Sequence, residues 1–147
     1  MTPHCAAYSA ATIVESIYWK LTGKLKQLDS HQIYALAKQL DGAINMEGTY
    51  LEYAMQSVIR LCKADPEFKF LENVQVKTFF NGKNSDTIEL TKQLLHKYDF
   101  LQVGFNIDEG WYDCSKMNYV LKARGSSLGG HAVNLVGADY DGFYIQN

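Results

Sequence analysis

The sequence predicts an α+β fold in which helices come first and strands mostly follow. Three observations carry this. Up to about residue 62, apolar residues recur at helical spacing. From about residue 63 the chain shifts to short alternating runs bounded by turn signals. The hydrophobic and charged fractions, 47% and 20%, are those of an ordinary globular chain. At 147 residues the chain is long enough for one domain with a sizeable core. The expected organisation is a single domain over 1–147, with a helical lobe to about residue 62 and a β-rich lobe from about residue 63. Ligand sites favour such interfaces between lobes.

The elements are argued in order. Ala6, Ala7, Ala10, Ala11, Ile13, Val14, Ile17 and Leu21 make a first helix apolar nearly all round, which predicts burial. Thr2 can cap its start, Pro3 suits the first helical position and Gly23 is a stop signal. Glu15, alone among apolar residues, requires a hydrogen-bond partner. A second helix is expected from about Ser30 to Leu40, ending near Gly42. A third follows Thr49, where Thr49-x-x-Glu52 reads as a capping box. Its apolar face is Leu51, Ala54, Met55, Val58, Ile59 and Cys62.

Beyond it, Val74 to Phe79 alternates as a strand. Asp86 to Tyr98 reads as a helix and Phe100 to Ile107 as a strand. Gly125 to Gly130 reads as a mobile loop. His131–Gly137 and Phe143–Gln146 form a hairpin-like pair around Asp141-Gly142.

Several function classes are excluded at this level. A net charge of −2 with scattered Lys and Arg leaves no basic stripe for nucleic acid and no polybasic membrane patch. No stretch approaches the roughly 20 apolar residues of a membrane span. The N-terminus lacks the basic and apolar regions of a signal peptide. Three cysteines, Cys5, Cys62 and Cys114, read as free thiols of a reducing compartment, so a cytoplasmic or otherwise intracellular location is expected. His4, His31, His96 and His131 show no metal-ligand spacing, and no metal or cofactor is expected.

The chemistry centres on Cys5. In the first turn of a helix, unpaired N–H groups and the positive dipole end favour a thiolate, which is the nucleophilic form. A histidine from the other lobe can serve as its proton partner, and a third group must orient that ring. His131 begins one strand of the hairpin-like pair and Asn147 ends its partner, so the two come together at one end. Each residue also has a bland reading. A cysteine on an Ala-rich helix is commonly core, a histidine before a strand is commonly structural, and Asn147 alone carries little signal. Cys62 falls on an apolar helix face, Cys114 in a loop or turn, and His4 on the rim beside Cys5.

A resemblance adds to this reading. Cys5-Ala6-Ala7-Tyr8-Ser9-Ala10-Ala11 through Glu15 to Leu21-Thr22-Gly23-Lys24-Leu25 is similar to the central helix of papain-like cysteine peptidases. Leu28 to Gln32 resembles the family's L-S-x-Q segment. Glu47-Gly48-Thr49-Tyr50 resembles its glycine-bearing substrate loop. Gly129-Gly130-His131-Ala132-Val133 and Tyr144-Ile145-Gln146-Asn147 resemble its H-A-V strand and K-N-S-W-G segment. The order Cys, His, Asn matches, and the separation of Cys5 from His131 is close to the roughly 130–150 residues of papain-type domains. The likeness covers most of the chain but little of residues 63–98. The lack of paired cysteines is closer to the family's bacterial or viral branch.

The resemblance implies a two-lobed papain-like fold and hydrolysis of peptide bonds in a peptide or protein substrate, without a cofactor. Cys5 is implied as nucleophile, His131 as acid and base, and Asn147 as orienter. Gly48, Thr49, Tyr50 and Gly130 are implied to border the substrate. Ala6 stands where the family usually has Trp, and Thr49 where it has a loop glycine. The family's oxyanion-hole glutamine would precede Met1, and its S-W-G would follow Asn147. The chain therefore reads as cut at both ends, with weak or absent turnover expected. Two other readings stay open: an inactive binding or scaffold relative, and an acyl or peptidyl transferase on the same triad.

Overall fold

The computed structural model describes residues 3–77 and 85–147. It is a mixed helix and sheet structure. The helices α1 (Cys5–Thr22), α2 (Ser30–Asp41) and α3 (Leu51–Cys62) come first, followed by a short 3-10 segment (Pro66–Leu71). Then come α4 (Ser85–Tyr98), β1 (Leu101–Ile107), the single turn α5 (Glu109–Tyr112), a second 3-10 turn (Cys114–Met117), β2 (Gly129–Ala138) and β3 (Phe143–Gln146). The strands form an antiparallel sheet in the order β1-β2-β3.

The helix boundaries follow local chemistry. The Asp29 carboxylate accepts from the backbone N–H groups of His31 (2.9 Å) and Gln32 (3.2 Å), starting α2. Gly23 and Gly42 end α1 and α2 in the left-handed conformation, with φ of 70° and 66°. Two caps differ from expectation. The N-cap of α1 is His4, without a side-chain bond; Pro3 precedes the helix, and Thr2 lies outside the described residues. The capping box at Thr49 does not form, because the N-cap of α3 is Tyr50 and the Thr49 hydroxyl donates to Asp41 instead.

The core gathers where α1 crosses α2, α3 and β2. Ala6, Ala7, Ala10, Ala11 and Val14 of α1 pack with Ile33, Val58, Cys62, Phe68, Leu71 and Ala132. The small side chains of α1 allow close approach on that side. Each fully buried aliphatic side chain such as Val58 contributes about 1.5–3 kcal/mol. α1 is not apolar all round, however: Tyr8 and Trp19 share an exposed outer face, and Leu21, in line with Ala10 and Val14, is exposed in the last turn. Glu15 has its expected partner, accepting from Leu28 N–H at 2.6 Å.

Two strand-region expectations are corrected. Val74–Lys77 forms no strand; Val76 packs against the helical core instead, and Thr78 and Phe79 lie outside the described residues. Gly129 and Gly130 belong to β2 rather than to the preceding loop, pairing with Ile107 and Asn106. The β2–β3 connection is a tight turn in which the Asp139 carboxylate accepts from Asp141 and Gly142 N–H. A register shift between Leu135 and Gly137 bends the pair. Among the described residues, no helix is long and apolar enough to cross a membrane.

Gly110 is a tight point. A Cβ there would lie 2.1 Å from the Lys122 carbonyl oxygen, because the segment after the second 3-10 turn crosses directly over α5. Gly110→Ala is expected to cost about 1–3 kcal/mol, read as a lowered denaturation midpoint. A midpoint equal to the parent's would mean that this crossing relaxes freely.

Candidate active site

Cys5 is the first residue of α1 and half-buried. The first intrahelical bond there runs from Tyr8 N–H to the His4 carbonyl at 3.0 Å. No side chain caps this end, and the first turn carries no acidic residue. The leading N–H groups and the positive end of the helix dipole therefore face the thiol without a competing anion on that turn.

His131 is buried in β2, opposite Phe105 of β1. Its Nε2 lies 2.8 Å from Asn147 Oδ1. An amide oxygen only accepts, so this bond puts the ring hydrogen on Nε2. The neutral ring then carries its lone pair on Nδ1, which is buried and has no hydrogen-bond partner among the described residues. β2–β3 pairing makes this possible: Leu135 faces Ile145 and Asn134 faces Gln146, so Asn147 continues β3 back toward His131.

Cys5 and His131 line one open cleft of about 530 Å³. Gly48, Thr49, Tyr50 and Gly130 line it too, so it gathers every site residue named from the sequence except Asn147, which is exposed at the back of the histidine. A second cavity of about 570 Å³ lies among α1, α3, α4 and β1, away from Cys5 and His131. Its lining includes none of the cysteines or histidines of the chain.

Several side chains that the sequence did not single out build this arrangement. Ser9 Oγ donates to Asn134 Oδ1 (2.6 Å), and Asn134 Nδ2 donates back to the Ser9 carbonyl (3.0 Å). Ser9 lies one helical turn beyond Cys5, and Asn134 follows His131 on β2. This buried two-way bond therefore fixes the helix bearing the thiol against the strand bearing the imidazole. Gln102 Nε2 adds a tie from β1 to the Ala6 carbonyl at 2.8 Å. The signal for Asn134 was a lone amide inside the apolar run His131-Ala132-Val133-Asn134-Leu135-Val136. Asn134→Ala is expected to cost about 1–3 kcal/mol, because it strands the Ser9 groups in the interior. Denaturant unfolding measures this, and a loss within error of zero would show the lock to be dispensable.

Trp111 packs edge-on against the His131 ring with centroids 4.9 Å apart, and Phe105 stacks behind it at 5.6 Å. Asp108 sets this indole in place. It caps α5 through Gly110 N–H (2.9 Å) and accepts from Arg124 N–H (2.9 Å).

The other cysteines sit elsewhere. All three are free thiols. Burial, helped by the Asp65 carboxylate, pushes the Cys62 thiol up to about 11. Cys114 starts the second 3-10 turn, half-buried. His4, expected on the rim, is not among the cleft-lining residues; its ring centroid lies 4.1 Å from that of Tyr34 and 4.9 Å from that of His31. Among the described residues, no group of three or more His, Cys, Asp or Glu is placed to hold a metal ion.

Compared with known proteins, the chain matches no family model and no curated protein at a significant level.

Proposed function

We propose that this chain is a cysteine peptidase that hydrolyses peptide bonds through Cys5, His131 and Asn147, on a papain-like two-lobed domain. The single observation that carries the reading is the state of His131. Its Nε2 is held by Asn147, while its buried Nδ1 has no hydrogen-bond partner among the described residues, Cys5 Sγ included, although both residues line one cleft. An unsatisfied buried ring nitrogen is costly for a structural histidine, and a shift of the thiol toward it on substrate binding would complete the proton path.

The proposed reaction runs in two halves. His131 Nδ1 takes the thiol proton, and Cys5 Sγ bonds to the scissile carbonyl carbon while the C=O electron pair moves to oxygen. The Cys5 backbone N–H supports that oxyanion. The pair returns, the C–N bond breaks and the Nδ1 proton passes to the departing amine, leaving a thioester. Water then gives a proton to Nδ1 and its oxygen to the carbonyl carbon, the C–S bond breaks, and the acid and free thiol are restored. Gly48, Thr49, Tyr50 and Gly130 would flank the substrate backbone.

The test is peptide turnover with and without an added amine acceptor, for the parent and for His131→Ala. Hydrolysis products that depend on His131 support the reading. Products carried only by the amine would make the chain a transferase. No product of either kind, with Cys5 no more reactive than Cys62 and Cys114, would leave a non-catalytic binding protein.

A further inference from the structure

We propose that Lys38 and Asp41 are positioning residues that hold the cleft wall at residues 42–50 at a fixed distance from Cys5. This rests on the peptidase reading for its purpose but not for its test. Lys38 lies in the last turn of α2 with its side chain 10% exposed, and the side chain of Asp41, which ends the helix, is 1% exposed. Lys38 Nζ donates to Asp41 Oδ2 (3.2 Å) and to the Gly48 carbonyl (3.0 Å). Asp41 Oδ2 accepts from the Thr49 hydroxyl (2.7 Å), and Oδ1 accepts from Ala43 N–H (2.8 Å).

Lysine and aspartate are almost never buried unless paired, and a buried pair seldom improves stability over apolar residues of the same volume. The pair here has a different output. Every hydrogen bond it makes besides its own goes to the loop, at Ala43, Gly48 and Thr49. That loop has no secondary structure, and Gly48 sits at φ 79°, where only glycine is comfortable. Without the pair, nothing described ties Gly48 and Thr49 to α2. Both residues line the cleft with Cys5, as do Lys38 and Asp41 behind them. An extended chain bound along this wall is aligned with the thiol only if the wall is fixed.

The test uses two alkylating probes of the same thiol. Iodoacetamide is small and reads Cys5 alone; the sulfur bonds to its methylene carbon and iodide leaves. A dipeptidyl fluoromethyl ketone reacts at the same sulfur with loss of fluoride, but must first lie along the wall. Lys38→Met keeps the stem and removes the charge and donor; Asp41→Asn weakens the same network; Lys38→Arg keeps a buried cation that can reach Gly48. For Lys38→Met and Asp41→Asn, the peptidyl probe is expected to slow by about ten- to a hundred-fold through a weaker saturation constant, as a displaced wall requires. Iodoacetamide labelling of Cys5 should stay at the parent rate, and Lys38→Arg should recover most of the loss. Equal slowing of both probes, slowing of neither, or a parent that shows no saturation with the peptidyl probe overturns the proposal. If the parent labels with saturation but cleaves no peptide, the peptidase reading falls while the comparison of variants still decides the role of the pair.

Discussion

Cys5→Ala is expected to abolish peptide turnover, and His131→Ala to lower it by about 10⁶ relative to the parent, because a nucleophile and its base act as one unit. The thiol can be followed even where turnover is slow. Iodoacetamide at about pH 6 should modify Cys5 well ahead of Cys62 and Cys114, and His131→Ala should slow that reaction. Burial slows Cys62 in that comparison. Its thiol, pushed up to about 11 by burial, is ionised to only about one part in 10⁵ at pH 6. Peptide mapping after timed labelling measures the order. Equal modification of all three cysteines, or no effect of the histidine change, would remove the basis for a Cys5–His131 pair.

Asn147→Ala is expected to lower turnover by about 10²-fold, the scale of a misplaced catalytic group. Asn147 carries no titratable proton, so it acts only through the 2.8 Å bond to His131 Nε2. Losing it frees the ring to rotate and to exchange tautomers, which takes the lone pair off Nδ1. Iodoacetamide labelling of Cys5 at about pH 6 should stay near the parent's rate, since no charge has been removed. A large change in that rate with turnover intact would make Asn147 an electrostatic rather than an orienting residue.

The loop strut gives the cleft a pH dependence of its own. Burial opposes ionisation of Asp41, but the Ala43 N–H, the Thr49 hydroxyl and the Lys38 ammonium more than offset it and hold the carboxyl below the usual range. Its folded value lies below its unfolded one, so the network stabilises above the ordinary carboxylate range. That contribution is lost as the pH falls through the depressed value. Protection factors for hydrogen exchange over residues 42–50 are expected to fall on acidification before those of α1 do.

Much of this was legible because it depends on short-range rules. The stops at Gly23 and Gly42, the apolar face of α3 and the hairpin turn at Asp139–Gly142 are each set by a few neighbouring residues. The joining of His131 to Asn147 was readable for the same reason, since hairpin register converts sequence separation into distance. The errors fall where tertiary partners decide. Thr49 carried a capping signal, but a buried carboxylate on α2 took its hydroxyl. Val74–Lys77 alternated like a strand, yet Val76 found the helical core rather than a neighbouring strand. Leu21 counted toward an apolar helix, yet it falls in the last turn of α1, where it stays exposed. Ser9, Asn134 and Lys38 were unreadable as a group because their meaning is pairwise across long stretches of chain. A buried amide or ammonium declares itself only when its partner is known.

The indole of Trp111 gives His131 an optical signature. The chain has two tryptophans. Trp19 is 56% exposed on α1, whereas Trp111 meets the imidazole at 4.9 Å. An imidazolium quenches a neighbouring indole by accepting its excited electron, and a neutral ring does so weakly. With Trp19 replaced by phenylalanine, the remaining emission becomes a titration curve for one ring, recorded without substrate. Adding an alkylating agent to such a sample would show directly how occupation of the Cys5 sulfur changes the proton affinity across the cleft. The same emission would report any ligand that displaces the ring from its seat.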